Sequence, residues 1–117
     1  LGYTIKPLAI ARQVEGALLN GISYALSERY IYNERGRMLN PSFGVYGVWF
    51  IRDLPEIRTF LVPTYEPTGP FGAKSIAEVN INGPMPAISN AVFDAVGIRL
   101  RKPPFTPEAV FTALNFR

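Results

Sequence analysis

Between Thr64 and Pro86 the chain carries prolines at 67, 70, 84 and 86 and glycines at 69, 72 and 83, so closely spaced that no apolar periodicity survives. Prolines fix φ and remove N–H donors, so neither a continuous helix nor an interior strand can run through this stretch. Regular structure has to stop before it and restart after it. Within it lies "GPFGAKSIAE", residues 69 to 78, which ends in a single carboxylate, Glu78. Long loops inside compact domains are often binding loops, and Gly69, Gly72 and Gly83 would let the backbone approach a ligand closely. A helix following the loop would offer free N–H groups to an anion. A surface loop of chance composition would read the same way.

On either side, periodicity returns. Residues 8 to 28 place Val14, Ala17, Leu18, Gly21, Ile22, Ala25 and Leu26 at three- and four-residue spacings, which predicts an amphipathic helix with Pro7 in its first turn. Gly16 and Gly21 lower its helix propensity by about 1 kcal/mol each, which points to close packing against a neighbour. "RYIYNERGRML" predicts a hairpin with Gly36 in the left-handed position, and Tyr24, Tyr30 and Tyr32 are expected as amphipathic contacts near the end of the first helix. "FGVYGVWFI", 43 to 51, predicts a strand buried on both faces with Trp49 in the core, and "IRTFLVPTY" a further strand broken at Pro63. Ile88, Ala91, Val92, Ala95 and Val96 predict a second helix ended by Gly97. Thr106-Pro107-Glu108 predicts a third, as an N-cap, an N1 proline and an acid near the positive end of the dipole. The expected fold is α+β: one domain or fragment spanning 1–117, with a mixed sheet and two to three packed helices.

The chain has neither cysteine nor histidine, which excludes zinc sites, iron–sulfur ligation, disulfides and a Ser-His-Asp triad built from it alone. Chemistry would rest on carboxylates, amides, lysine, backbone groups or a bound cofactor. Hydrophobic residues make up 48% and charged residues 18%, a globular composition with room for apolar contacts to other chains. The net charge of +3 comes from 12 basic and 9 acidic residues, clustered only at "RLRK", 99 to 102, too sparse for a nucleic-acid-binding stripe. No apolar run reaches the roughly 20 residues of a membrane span, and no signal peptide is visible. Absent cysteine fits a cytoplasmic protein, with a periplasmic one also compatible. The chain opens on Leu1 rather than methionine, as a fragment or excised domain would. Asp53 and Glu56 about Pro55, and Asp94 on its helix, read as solvated or capping carboxylates.

Taken in order, "QVEGALLNGISYALSE", "NERGRML", the apolar run at 43 to 51, "RDLPEI", "GPFGAKSIAE", "PAISNAVFDAVGIRL" and "PPFTPEAVFTAL" resemble the C-terminal part of the molybdopterin-binding (large) subunit of the xanthine dehydrogenase and aldehyde oxidase family of molybdenum hydroxylases. The resemblance implies the fold of the C-terminal lobe of that cofactor-binding domain. It also implies hydroxylation of an N-heterocycle or aldehyde: a hydroxyl on molybdenum attacks an electron-poor carbon, and a hydride passes to the metal's sulfido ligand. In the family a glutamate at the end of the glycine-rich loop deprotonates that hydroxyl, and Glu78 stands there. Gln13 takes the place of a glutamine that hydrogen-bonds near the cofactor, and Gly72, Ala73, Lys74, Ser75 and Ala77 follow as cofactor-binding positions, none of them a metal ligand. Gln13 equally fits an amide satisfied in a helix–helix contact, and Lys74 an exposed loop lysine.

The implied cofactor is molybdenum-molybdopterin, with the cytosine dinucleotide as one form, shared with a second lobe. Iron–sulfur clusters and FAD would sit only on partner domains or subunits. The sequence departs from the pattern at Ser75 and Ala77, where the family has glycine, at Arg12, and at Val79 and Asn80. A Cβ at 75 or 77 penalises positive φ. These departures keep open an alternative, a non-catalytic binding or assembly module, homo-oligomeric if isolated, that kept the fold without a working cofactor site.

Overall fold

Pro7 opens helix α1 (Pro7–Leu26) at a position whose N–H would be unpaired in any case. From there the helix buries a narrow stripe of small residues, Ala17, Gly21, Ser23 and Ala25. A second long helix, α3 (Pro84–Val96), packs on that stripe together with the 3-10 turn Val79–Asn82. Between them lies α2 (Phe43–Tyr46), a single turn, and α4 (Pro107–Asn115) ends the chain. The structure, a computed structural model, describes residues 1–116.

The contact of α1 with α3 turns on Gly21. A Cβ there would lie 2.6 Å from Cγ of Pro84 and 2.8 Å from the carbonyl oxygen of Ile81. The expected close packing is therefore real at Gly21. At Gly16 it is not, because a Cβ would meet nothing within 4 Å. α3 ends where the sequence places its stop, with Gly97 at φ 71 and its N–H donating to Phe93. α4 is capped as expected: Thr106 Oγ1 accepts from the Ala109 N–H at 3.2 Å, with Pro107 at N1 and Glu108 in the first turn. Phe105, buried, ties α4 to α1 by donating its N–H to the Ala25 carbonyl at 2.7 Å.

The mixed sheet is not there. Among the described residues the only β pairings are two isolated antiparallel bridges, Gly2 with Ala73 and Tyr32 with Met38. The second is what remains of the expected hairpin: Gly36 has φ 74, and the Asn33 carboxamide oxygen accepts from the N–H groups of Arg35 and Arg37. The buried strand expected over 43–51 is replaced by α2 and the 3-10 turn Ile51–Asp53. Polar bonds to the end of α1 decide this: Ser27 Oγ donates to the Gly47 carbonyl at 2.6 Å, and the Trp49 N–H donates to Ser23 Oγ at 3.1 Å. Gly47 at φ 97 then turns the chain away. Trp49 is half-buried rather than a core residue. Residues 57 to 65 belong to no regular element, and among the described residues no strand pairs with them.

Apolar composition without a sheet leaves the surface unusually greasy. Phe60 is 85% and Phe43 78% exposed, whereas the buried hydrophobic set among the described residues is Ala17, Ala25 and Phe105. The Cα radius of gyration is 18.1 Å, against about 13 Å for a compact domain of this size. Exposed apolar surface of this extent is characteristic of interaction sites.

The two glycines of α1 separate packing from propensity. Gly21→Ala is expected to destabilise by ~1–3 kcal/mol through the clash with Pro84 and Ile81. Gly16→Ala, in open space, is expected to stabilise by about 1 kcal/mol. Thermal unfolding of the full-length protein should therefore move in opposite directions for the two variants.

Candidate functional site

The first residues of the chain shape the loop that follows Tyr65. The Tyr3 N–H donates to the Gly72 carbonyl at 2.6 Å, and the Lys74 N–H donates to that of Leu1 at 2.9 Å, closing the bridge between Gly2 and Ala73. Thr64 Oγ1 accepts the Gly2 N–H at 3.1 Å. Gly2, at φ 68, lies so close that a Cβ would stand 2.5 Å from the Gly72 oxygen. The sequence reading missed this pairing. Its signal is the alternation of Tyr3, Thr4 and Ile5 immediately ahead of Pro7.

Inside the loop the glycines are used for the loop's own packing. A Cβ at Gly72 would overlap the Tyr65 ring at 2.3 Å, and one at Gly69 would lie 2.0 Å from the Ala73 carbonyl oxygen. They hold the backbone against itself. Glu66 completes the turn: its carboxylate accepts from the Thr68 hydroxyl at 2.6 Å and the Thr68 N–H at 3.1 Å. These two bonds, hydroxyl first, hold the Glu66 carboxyl below its ordinary range, and the Lys74 ammonium adds to the effect.

Against this scaffold α1 presents Gln13. Its Nε2 donates to the carbonyl of Ala77 at 3.0 Å, across 64 positions of sequence. A carbonyl only accepts, so the bond fixes which end of the amide faces the loop and leaves Oε1 and one N–H available. The result is a cleft of about 510 Å³ lined on one side by Tyr3, Lys6, Ala9 and Gln13 and on the other by the segment Ala73 to Ala77. Five of the predicted site positions, Gln13, Ala73, Lys74, Ser75 and Ala77, thus meet at one cleft. Gly72 lies buried behind it. Lys6, Ala9 and the Leu1–Ile5 segment join it unforeseen.

Glu78 is exposed, does not line the cleft, and immediately precedes the 3-10 turn Val79–Asn82. Its carboxylate has no hydrogen-bond or ion-pair partner among the described residues. The Cβ penalty expected at two positions falls on one: Ala77 has φ 42, whereas Ser75 is not in the left-handed region. Thr4, between two cleft residues, buries a hydroxyl oxygen that has no partner among the described residues. No group of three or more metal-ligating side chains occurs among the described residues. Nor is any helix among them long and apolar enough to cross a membrane.

The family model of the molybdopterin cofactor-binding domain matches residues 1–55. The chain is 44% identical over 97% of its length to the Escherichia coli (strain K12) protein named "Probable hypoxanthine oxidase XdhD", and 34% identical over 98% to the aldehyde oxidoreductase of Megalodesulfovibrio gigas. It spans 12% of the length of each. Among solved structures it resembles quinoline 2-oxidoreductase from Pseudomonas putida 86, with a TM-score of 0.86, 26% identity, and coverage of 97% of this chain and 15% of that one.

The Glu66 turn carries a pH signature. Because the folded carboxyl lies below its ordinary value of 4.5, its stabilisation is fully present above that value and is lost as pH falls through the depressed one. Between about pH 6 and about pH 3, the melting temperature of the full-length protein should fall less in Glu66→Gln than in the parent, as calorimetry would measure.

Proposed function

Since this chain belongs to the family of molybdopterin-binding subunits of xanthine dehydrogenases and aldehyde oxidoreductases, we propose that it forms one wall of a molybdenum hydroxylase active site, with Glu78 as the base. The observation that carries the reading is the bond between Gln13 and Ala77, which closes α1 onto the loop and forms the cleft. The donor set fits the cofactor. The chain has no thiolate or imidazole for a metal, which suits a group that brings its own metal ligands. What it offers is an amide with spare capacity at Gln13 and ammonium groups at Lys6 and Lys74, suited to the polar edge and an anionic arm of a pterin.

When bound, the molybdenum-molybdopterin group supplies the two-electron redox chemistry. The residues of this chain bind and orient it and handle the proton. Gln13 Oε1 would accept from the cofactor's N–H edge, and Lys74 would meet its phosphate. The Glu78 carboxylate, free of protein partners, would take the proton released during hydroxylation. Because Glu78 follows Ala77 without itself lining the cleft, substrate would reach it from the opposite wall, and the exposed apolar side chains are the surface on which that second lobe would sit. Iron–sulfur and flavin centres would lie on other domains, because this chain lacks their ligands.

A purine-like N-heterocycle is the favoured substrate class, on the 44% identity to a protein named for hypoxanthine. An aldehyde is the second, on the 34% identity to an aldehyde oxidoreductase.

In the full-length protein loaded with molybdenum, Glu78→Gln is expected to lower kcat on hypoxanthine by ~10²–10⁴-fold with metal content unchanged. Turnover that survives the substitution would remove Glu78 from the base role.

A further inference from the structure

Ala77 stands in the left-handed region, at φ 42, with a Cβ that disfavours it. Such a conformation persists only where its surroundings hold it. The next residues are held by their own turn, with Ile76 accepting from the Val79 N–H at 3.4 Å and Glu78 from that of Ile81 at 3.0 Å. The Ala77 carbonyl itself is held from outside the loop, by Gln13 Nε2 at 3.0 Å. That oxygen shares a rigid plane with the N–H and Cα of Glu78. Fixing the oxygen therefore fixes the rotation of the peptide through which the chain enters Glu78, and with φ -111 at Glu78 it sets the direction in which the Cα–Cβ bond leaves the backbone.

We propose that Gln13 is a positioning residue, which aims the Glu78 carboxylate by pinning the Ala77 carbonyl in its left-handed conformation; this rests on the base role given to Glu78 above. The strain makes the hold necessary. The left-handed penalty at Ala77 and the net worth of one hydrogen bond are of the same order, so the bond cannot be removed while the penalty remains without shifting the loop. Were position 77 glycine, the same φ would stand without support, and Gln13 would have less to do.

The test is a cycle of Gln13→Leu, Ala77→Gly and the double variant in the full-length protein, read by amide hydrogen exchange over residues 74–79 with and without cofactor, by the pH profile of kcat, and by molybdenum content. Gln13→Leu should speed exchange over 74–79 roughly two- to tenfold, move the acidic limb of the kcat profile, and lower kcat more than it changes KM, with molybdenum retained. In the Ala77→Gly background each effect of Gln13→Leu should shrink. Equal effects in both backgrounds would overturn the proposal, as would lost molybdenum with unchanged exchange, which would make Gln13 a cofactor contact alone. The two readings fail separately. If Glu78→Gln abolishes turnover while Gln13→Leu alters neither exchange nor pH profile, the base role stands and the positioning role falls. If Glu78→Gln leaves turnover intact, the base role falls and takes the aiming role with it.

Discussion

Helix α1 reaches Pro84 and the Ile81 carbonyl only because position 21 has no Cβ, and the rest of the molecule is placed from that contact. Gln13 lies about two turns nearer the N-terminus, roughly 12 Å along the axis. There the same helix meets the same loop again, at Ala77. Residues 77 to 84, which include the 3-10 turn Val79–Asn82, therefore run along α1 between two anchors, one steric and one polar. Glu78 lies within that span.

The other end of α1 is organised by polar groups. The buried Ser23 hydroxyl donates to the Glu28 carboxylate at 2.5 Å and accepts from Trp49, while buried Asn40 donates to the Arg29 carbonyl and accepts from the Ile31 N–H. Each is a single side chain joining two pieces of backbone that would otherwise need a strand partner. Tyr46, with its ring centroid 5.2 Å from that of Tyr30, sits beside this cluster. Its hydroxyl is pushed up to about 12, first by burial, then by the Tyr30 hydrogen bond and the nearby Glu28. It stays protonated and able to donate throughout the physiological range.

The helices were legible because their signals are local. Pro7, Gly97 and the Thr106-Pro107-Glu108 cap each act within one turn of their own position, and each does what its type dictates. Even the departure at Ala77 could be read as strain before its φ was known. The sheet was misread because an apolar run such as 43–51 announces burial, not what buries it. Here two serine side chains and Gly47 bend that run into a helical turn. The packing role of the loop glycines was hidden for a related reason. Sequence shows that position 72 lacks a Cβ but not that the Tyr65 ring fills the space.

The bonds that build the cleft join residues 62 and 64 positions apart, through Gly2 with Thr64 and Gln13 with Ala77. Contacts of such separation carry a loop-closure entropy that helix formation does not. The helical hydrogen bonds of α1 are all local, whereas the cleft cannot exist until the ribosome has delivered the segment beyond Ala77. Any molecule that needs both walls must be inserted after that moment.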